Sequence, residues 1–297
     1  MLGFELLDHL THRMTGPVMG ISRRAIPMEK PGLRNQVCDD PLLPDWLPQA
    51  DKDSTIIHCA GLSNPRKYFD NMASLAAQEI APHLAMVEGL VEKGWLGHLV
   101  FLSSGGAVYG DVSTLPIVET APRLPKGHYG LQKLILEDSL AFLARRHGFR
   151  LTILRVGNPY GATIRKREQG VIPVIIDASL EGTPFQMFGD GRALRDYVHV
   201  KDFCVAVEKA SLRNAGATTE TFNIGSGTGT SLRDLIDLVT AITDKAISCA
   251  IHPTDVDVTS NVLDISKAKR ALDWTPVIGI KAGVQQLILK AQQRQTI

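Results

Sequence analysis

The sequence lacks several features that mark whole classes of protein. Cysteine is scarce: the 297 residues contain four, without a Cys-x-x-Cys pair, at positions 38, 59, 204 and 249. This spacing excludes a disulfide framework and a cysteine-based metal site as explanations of the chain, and we expect free thiols in a reducing cytoplasm. The chain also lacks an excess of either basic or acidic residues. The formal net charge is +1, which gives no electrostatic footprint for nucleic acid or an anionic membrane.

Long apolar runs are also lacking. No segment approaches the roughly 20 apolar residues of a membrane-spanning helix, and the first residues do not resemble a signal peptide. The sequence contains neither an internal repeat nor a low-complexity segment. We therefore expect a cytoplasmic protein that binds neither membrane nor nucleic acid.

What the chain does contain is an alternation of short apolar runs and longer amphipathic segments. The short runs predict strands at 18–21, 55–58, 98–102 and 151–154, and the longer segments predict helices at 5–13, 78–93 and 130–147. This alternation is typical of βαβ units. The predicted fold class is therefore α/β, with a Rossmann-like doubly wound parallel sheet, and looser patterning after residue 156 predicts a smaller C-terminal lobe.

The beginning of the chain departs from the usual order of such a sheet. A first strand, a glycine-rich turn and a helix normally follow one another, and the start of the helix holds a pyrophosphate. Here Gly3 and Phe4 lead directly into a predicted helix, so Gly3 takes the place of the last glycine of a G-x-x-G-x-x-G fingerprint. We expect that a strand and two glycines are missing. Roughly ten to fifteen further residues upstream should then improve solubility and dinucleotide affinity.

The strongest chemical signal is the pair formed by Tyr129 and Lys133. Their spacing of four residues at the start of a predicted helix places both side chains on one face. A nearby ammonium favours the phenolate of a tyrosine, which allows the tyrosine to act as a base. The spacing alone arises often by chance. It gains weight because a predicted strand ending in Ser103 and Ser104 precedes it, and the carboxyl ends of such strands form the ligand-binding edge of the sheet.

Several segments resemble a known family in both order and spacing. They are SSGGAVYG at 103–110, HYGLQK at 128–133, RVGNPYG at 155–161, GVIP at 170–173, FGDG at 188–191, RDYVHVKD at 195–202, FNIGSG at 222–227 and LDISKA at 263–268. Together they resemble the extended short-chain dehydrogenase/reductases of the NAD-dependent epimerase/dehydratase family that act on nucleotide sugars. The UDP-hexose 4-epimerases are the branch most similar. The resemblance covers essentially the whole chain from Gly3 onward.

The resemblance implies an enzyme and a set of site residues. Tyr129 would remove a hydroxyl proton while hydride moves to a tightly bound nicotinamide cofactor, and Lys133 would bind the nicotinamide ribose. The serine or threonine that usually assists falls at Gly105, so Ser104 is the candidate for that role. The implied cofactor contacts, for NAD or for NADP, are Gly3, Phe4, Ser22, Arg23, Asp40, Ala60, Gly61, Ser103, Tyr129 and Lys133. The implied contacts to a UDP-sugar or related nucleotide sugar are Asn158, Arg195 and His252.

The resemblance also implies the domain organisation and the assembly. Residues 1–155 are expected to form a dinucleotide-binding domain to which 196–225 returns, and residues 156–297 are expected to form mainly the substrate-binding lobe. A homodimer is expected. Gly106 and Ala107 stand where dehydratases of the family carry an Asp-Glu pair, which argues against water elimination.

Three alternatives remain open at this point. Ser22-Arg23-Arg24 contains no carboxylate to bind an adenosine ribose, and arginines suit a 2′-phosphate, so an NADPH-dependent 4-keto-nucleotide-sugar reductase is possible. A degenerate, non-catalytic nucleotide-binding protein is the second alternative, because the glycine fingerprint is incomplete. The third concerns Arg195, which could form an ion pair with Asp196 or Asp202 instead of binding substrate.

Overall fold

The structure is a computed structural model that describes residues 2–26, 28–40, 42, 51–60, 71–162, 170–214, 218–253 and 260–295. The α-helices are α1 (Leu2–Arg13), α2 (Met72–Leu75), α3 (Ala81–Glu92), α4 (Gly105–Val108), α5 (His128–His147), α6 (Val171–Glu181), α7 (Val200–Leu212), α8 (Leu232–Thr243), α9 (Ser266–Leu272) and α10 (Ile280–Gln295). A π-helical turn (Ala76–Ile80) joins α2 to α3. The strands are β1 (Val18–Ser22), β2 (Leu33–Val37), β3 (Thr55–His58), β4 (His98–Ser104), β5 (Arg150–Val156), β6 (Asn158–Tyr160), β7 (Phe185–Phe188), β8 (Arg195–His199), β9 (Thr219–Ile224), β10 (Gly229–Thr230) and β11 (Cys249–His252).

A four-stranded parallel sheet forms the centre of the molecule, in the order β3-β4-β5-β9. Its middle strands are buried along nearly their whole length because helices cover both faces. Leu90 of α3 and Leu136 of α5 belong to one core cluster with Leu99. Leu6 of α1 and Phe203 of α7 belong to another. The predicted α/β fold with a parallel sheet is therefore confirmed.

The strands β1 and β2 form a separate two-stranded parallel sheet. Helix α1 contacts both β1 and α7, so it connects this small sheet to the central layer. Gly20 of β1 is tightly enclosed: an added Cβ would lie 2.8 Å from the Leu7 side chain and 2.9 Å from that of Ile26. Within the described residues, β1 and β2 pair with each other and with no strand of the central sheet.

The second half of the chain supplies two smaller sheets, β10-β8-β6 and the parallel pair β11-β7. Helices α6, α8 and α10 pack together around a third core cluster that includes Ile175, Leu235 and Val284. The chain also returns to the central sheet in this half, because β9 pairs with β5.

The four predicted strands are present at the expected positions, and β4 and β5 extend beyond their predicted ends. The helix predicted at 78–93 is different. Its first turn is π-helical, and the α-helix proper begins at Ala81, where Pro82 lacks a backbone N–H and suits the first turn. None of the described helices is both long enough and apolar enough to cross a membrane.

Candidate active site

The candidate site lies at the carboxyl end of β4, where the chain turns sharply into α4 and then approaches α5. Gly130 makes this approach possible. A Cβ on Gly130 would lie 2.3 Å from the carbonyl oxygen of Ala107, so a larger residue would push α5 away from the α4 turn. This contact brings the start of α5, with Tyr129 and Lys133, next to the end of β4, with Ser103 and Ser104.

A cavity of about 190 Å³ opens at this junction. Its lining includes all three residues that the sequence predicts to be catalytic, Ser104, Tyr129 and Lys133. The remaining lining residues come from the start of α1, the ends of β3, β4 and β5, the segment after β5, and α7: Leu2, His58, Cys59, Ala60, Leu102, Ser103, Val156, Gly157, Pro159 and Phe203. The cavity therefore occupies the carboxyl edge of the central parallel sheet, where open α/β sheets bind ligands.

Ser104 and Tyr129 are hydrogen-bonded to each other in this cavity. Tyr129 is half-buried, and desolvation of its side chain raises the pKa of the phenol above the ordinary value. The hydrogen bond from Ser104 acts in the opposite direction because it stabilises the phenolate. Ser104 thus supplies a hydroxyl beside the phenol, which Gly105 cannot do because it has no side chain.

Lys133 is buried, and its Nζ donates a hydrogen bond to the carbonyl oxygen of Leu102 at 3.0 Å. Burial lowers the pKa of Lys133 to about 8, and Glu79, Cys59 and Glu137 oppose this decrease. The same nitrogen lies 5.8 Å from the centre of the Tyr129 ring. Desolvation of the phenol has a larger effect on the pKa of Tyr129 than the hydrogen bond from Ser104.

Ser103 faces a different set of partners from Ser104. Its Oγ donates to Glu137 Oε1 at 2.5 Å. Glu137 also accepts hydrogen bonds from Arg155, at 3.1 Å from Nε and at 2.7 Å from Nη2. Arg155 donates further to the hydroxyl of Tyr109 at 3.0 Å. This buried network fixes α5 against β4 and β5 one helical turn beyond Lys133.

The predicted cofactor residues occupy several separate places. Ala60 lines the cavity, and Gly3 and Phe4 lie in the first turn of α1 beside the lining residue Leu2. Ser22 is the last residue of β1 and Arg23 follows it, and the Ser22 hydroxyl donates to the Arg24 carbonyl at 2.6 Å. Asp40 lies beyond β2 and accepts from the backbone N–H of Leu42 at 2.9 Å. Gly61 lies outside the described residues.

The predicted substrate residues fall on two of the smaller sheets. Asn158 and Arg195 lie on the paired strands β6 and β8, and Asn158 Nδ2 donates to the Asp196 carbonyl at 3.3 Å. Arg195 Nη1 donates to the Leu194 carbonyl at 2.9 Å. His252 lies on β11, with its Nε2 2.6 Å from Gln186 Oε1 and its ring stacked on Phe188. Their roles toward a substrate remain predictions.

The carboxylates proposed as ion-pair partners of Arg195 are bound to backbone groups. Asp196 accepts hydrogen bonds from the N–H groups of Ser226, Gly227 and Leu263. Asp202 accepts one from the N–H of Ile278 at 2.9 Å. Both carboxylates therefore have a structural use that does not require Arg195.

Sequence reasoning missed four polar residues close to the cavity: His58, Glu79, His83 and Glu137. All four are buried. Glu137 could have been found, since a carboxylate four residues after Lys133 falls on the same helix face. The other three carry no local signal, because their meeting depends on the packing of β3, the π-helical turn and α5.

Known proteins resemble this chain in both sequence and fold. Residues 1–225 match the model of the "NAD dependent epimerase/dehydratase family". A putative UDP-glucose 4-epimerase of Methanocaldococcus jannaschii is 34% identical over 242 residues, which cover 78% of this chain and 75% of that protein. A dTDP-4-dehydro-6-deoxyglucose reductase of Escherichia coli is 31% identical over 79% of this chain and 73% of its own length.

A similar solved structure is that of a UDP-glucose 4-epimerase of Thermotoga maritima with UDP-glucose. It has a TM-score of 0.85 and 26% sequence identity, and the match covers 99% of this chain and 96% of that one. The family model spans well over half of the chain. This chain therefore belongs to the NAD dependent epimerase/dehydratase family.

Proposed function

We propose that the protein is a nucleotide-sugar 4-epimerase that acts on a UDP-hexose with bound NAD. The observation that carries the proposal is the hydrogen-bonded pair of Ser104 and Tyr129 beside Lys133, in a cavity at the carboxyl edge of the sheet. Relatives and solved structures named UDP-glucose 4-epimerase support the substrate class. Solved structures with NAD support the choice of cofactor.

The chemistry requires that the sugar C4 lose a hydroxyl proton and a hydride and then regain both, with the hydride returning to the opposite face. When bound, NAD supplies a reversible hydride acceptor. Tyr129 acts in its phenolate form, which the Ser104 hydrogen bond favours: it accepts the hydroxyl proton as the C4 carbonyl forms and returns it in the second half of the reaction. Ser104 holds the reacting oxygen against Tyr129 by a hydrogen bond, and the ammonium of Lys133 contributes positive charge to the same cavity.

The residues around the cavity fit a dinucleotide, because the cavity adjoins both the first turn of α1 and the ends of parallel strands. We propose that Ala60, Ser103 and Lys133 hold the nicotinamide half and that Ser22, Arg23 and Asp40 contact the adenosine half. Gly3 and Phe4 would lie along the pyrophosphate. Asn158, Arg195 and His252 would hold the nucleotide diphosphate of the substrate. The proposal includes a homodimer in the cytoplasm, as the family resemblance implies.

A second candidate is an NADPH-dependent reductase of a 4-keto nucleotide sugar. It is favoured by the exposed Arg23 and Arg24 just after β1, in a segment (Ser22-Arg23-Arg24) that itself contains no carboxylate to bind a ribose. The relative named dTDP-4-dehydro-6-deoxyglucose reductase supports it as well. The two candidates differ in stoichiometry, since an epimerase regenerates its cofactor in every turnover and a reductase consumes NADPH.

Incubation of the purified protein with UDP-glucose tests the proposal directly. We expect UDP-galactose to accumulate to equilibrium without added NADPH, because hydride is returned to the same sugar. Product is measured by chromatography of the nucleotide sugars. A parallel incubation with NADPH and a 4-keto-6-deoxy nucleotide sugar tests the reductase. Absence of product in both incubations would leave a non-catalytic protein and refute the proposal.

Replacement of Ser104 and of Ser103 by alanine separates the two neighbouring hydroxyls. Ser104→Ala should cost about 1–3 kcal/mol of transition-state stabilisation, or about 5- to 150-fold in kcat, because it removes a positioned donor. Ser103→Ala should affect the thermal midpoint more than kcat, because its hydroxyl binds Glu137. Equal effects of the two changes on kcat would mean that another group assists Tyr129.

A further inference from the structure

A short segment from the second half of the chain, residues 261–263, lies against the turn of residues 104–108 that carries Ser104 (the Ser104 turn). Asn261 is 5% exposed and Leu263 is fully buried. The amide side chain of asparagine is usually exposed, because its burial is unfavourable unless hydrogen bonds compensate for the lost water. The chemistry described so far does not use Asn261. Its hydrogen-bond partners explain its burial and indicate a role.

Two contacts hold the Ser104 turn against this segment. Nδ2 of Asn261 donates a hydrogen bond to the carbonyl oxygen of Gly105 at 2.9 Å. The side chain of Leu263 packs closely on Gly105, since an added Cβ there would lie 2.7 Å from Cδ1 of the leucine. Gly105 follows Ser104 directly and begins α4, and the Ser104 side chain makes no capping hydrogen bond to that helix. The position of Ser104 therefore depends on the contacts of its neighbour.

The same segment is also bound to strand β8. The backbone N–H of Asn261 donates to the carbonyl oxygen of Leu194 at 2.9 Å. That of Leu263 donates to the carboxylate of Asp196 at 3.1 Å. Between Leu194 and Asp196 lies Arg195, which is proposed to hold the diphosphate of the substrate. Asn261 thus contacts the Ser104 turn through its side chain and the strand of Arg195 through its backbone.

Strand β8 has further support that does not involve the side chain of Asn261. It pairs with β6 and with β10. The carboxylate of Asp196 also accepts hydrogen bonds from the N–H groups of Ser226 and Gly227, at 2.5 and 3.1 Å. Removal of the Asn261 amide should therefore loosen the Ser104 turn and leave β8 in place.

We propose that Asn261 is a positioning residue that fixes the distance between Ser104 and the strand that carries Arg195. A nucleotide sugar is bound by its diphosphate at one place and reacts at C4 at another, so this distance decides where the C4 oxygen lies relative to Ser104. An error of about 1 Å at the reacting atoms can cost about 100-fold in rate. The consequence for the reaction rests on the proposed function, whereas the hold of Asn261 on the Ser104 turn does not.

The variant Asn261→Ala tests the inference because it removes the donor to the Gly105 carbonyl and keeps the backbone bond to Leu194. We expect kcat to fall about tenfold while KM stays within about twofold of wild type, because the Ser104 turn shifts and β8 does not. Asn35→Ala is the matched control. Nδ2 of Asn35 makes the same kind of bond, to the carbonyl oxygen of Met28 at 2.9 Å, and its loss should leave kcat unchanged.

A double-mutant cycle with Ser104→Ala separates positioning from a general loss of structure. If Asn261 acts through the Ser104 hydroxyl, Asn261→Ala should have no further effect on kcat once that hydroxyl is absent. The double variant should then be as slow as Ser104→Ala alone, instead of about ten times slower. Losses that multiply would overturn the inference. So would an Asn261→Ala enzyme with the wild-type kcat and a lowered thermal midpoint, since the role would then be purely structural.

Amide hydrogen exchange, read by peptide mass spectrometry, measures the hold on the turn without substrate. The amides of residues 105–110 should exchange about fivefold faster in Asn261→Ala than in wild type or Asn35→Ala, while those of β8 keep their rate. This result in a protein without epimerase activity would support the inference and refute the proposed function. Unchanged exchange in the turn would overturn the inference. If Asn261→Ala does not fold, Asn261→Ser takes its place in each measurement, because its shorter side chain is still polar but does not reach the Gly105 carbonyl.

Discussion

Replacement of Tyr129 by phenylalanine is expected to lower kcat by about two to four orders of magnitude. The change removes the proposed proton acceptor from the cavity and leaves the ring in place. Ser104 keeps its hydroxyl but loses its partner, so the cavity retains its lining while the route for the C4 proton is lost. The measurement is the rate of UDP-hexose interconversion under saturating substrate, together with the thermal midpoint of the variant.

Tyr160→Phe is the matched control for this experiment. Its hydroxyl lies outside the cavity and makes a long contact of 3.5 Å with the carbonyl oxygen of Gly279, so the same deletion there should leave kcat within a few-fold of wild type. Retention of more than about a tenth of the wild-type rate by Tyr129→Phe would refute the assignment.

The largest expected effect on stability comes from Glu137→Ala. This change leaves the guanidinium of Arg155, 4% exposed, without its carboxylate between β4, β5 and α5. Breaking a buried ion pair from one side costs about 3–5 kcal/mol, because the remaining charge is desolvated and unpaired. Urea denaturation followed by circular dichroism measures the loss in the free energy of unfolding.

The next residue of the chain provides the control. Asp138 carries the same charge but its side chain is 60% exposed, and it pairs with Arg123 at 2.8 Å. Asp138→Ala should cost at most about 1 kcal/mol, as is usual for exposed ion pairs. The double variant Glu137→Ala/Arg155→Met should recover part of the loss, since it removes the unpaired charge as well. Equal losses for Glu137→Ala and Asp138→Ala would contradict the assigned network.

The elements that could be predicted from the sequence are those whose pattern is local. Strand β4 is a run of apolar residues that ends in two serines, and the pair of Tyr129 and Lys133 needs only the helical repeat to share one face. Ser104 could be named because the chain order places it one residue before Gly105. Strand β2 was not predicted, because its sequence Leu-Arg-Asn-Gln-Val is largely polar and exposed.

The features that could not be predicted depend on tertiary packing. His58 and His83 are 25 residues apart, and they meet because α3 packs beside the end of β3. The π-helical turn that carries Glu79 has no sequence signature. The turn shows the same apolar periodicity as the α-helical residues beside it, so the sequence pattern does not distinguish the two. The prediction of one regular helix at 78–93 was therefore wrong in its first turn. The direction of the pKa shift of Tyr129 could not be predicted either, since it depends on how much solvent the fold removes from the phenol.

Within the described part of the chain, β1 and β2 pair with no strand of the central sheet, so we expect them to open independently of it. Gly20 is the single buried residue of β1, and no residue of β2 is buried, whereas β4 and β5 are buried along most of their length. Local opening requires less free energy where little apolar surface is buried. The amide hydrogens of β1 and β2 should therefore exchange with solvent through openings that leave the central sheet closed. The end of the site proposed to contact adenosine should then loosen and reclose while the end that holds Tyr129 stays ordered.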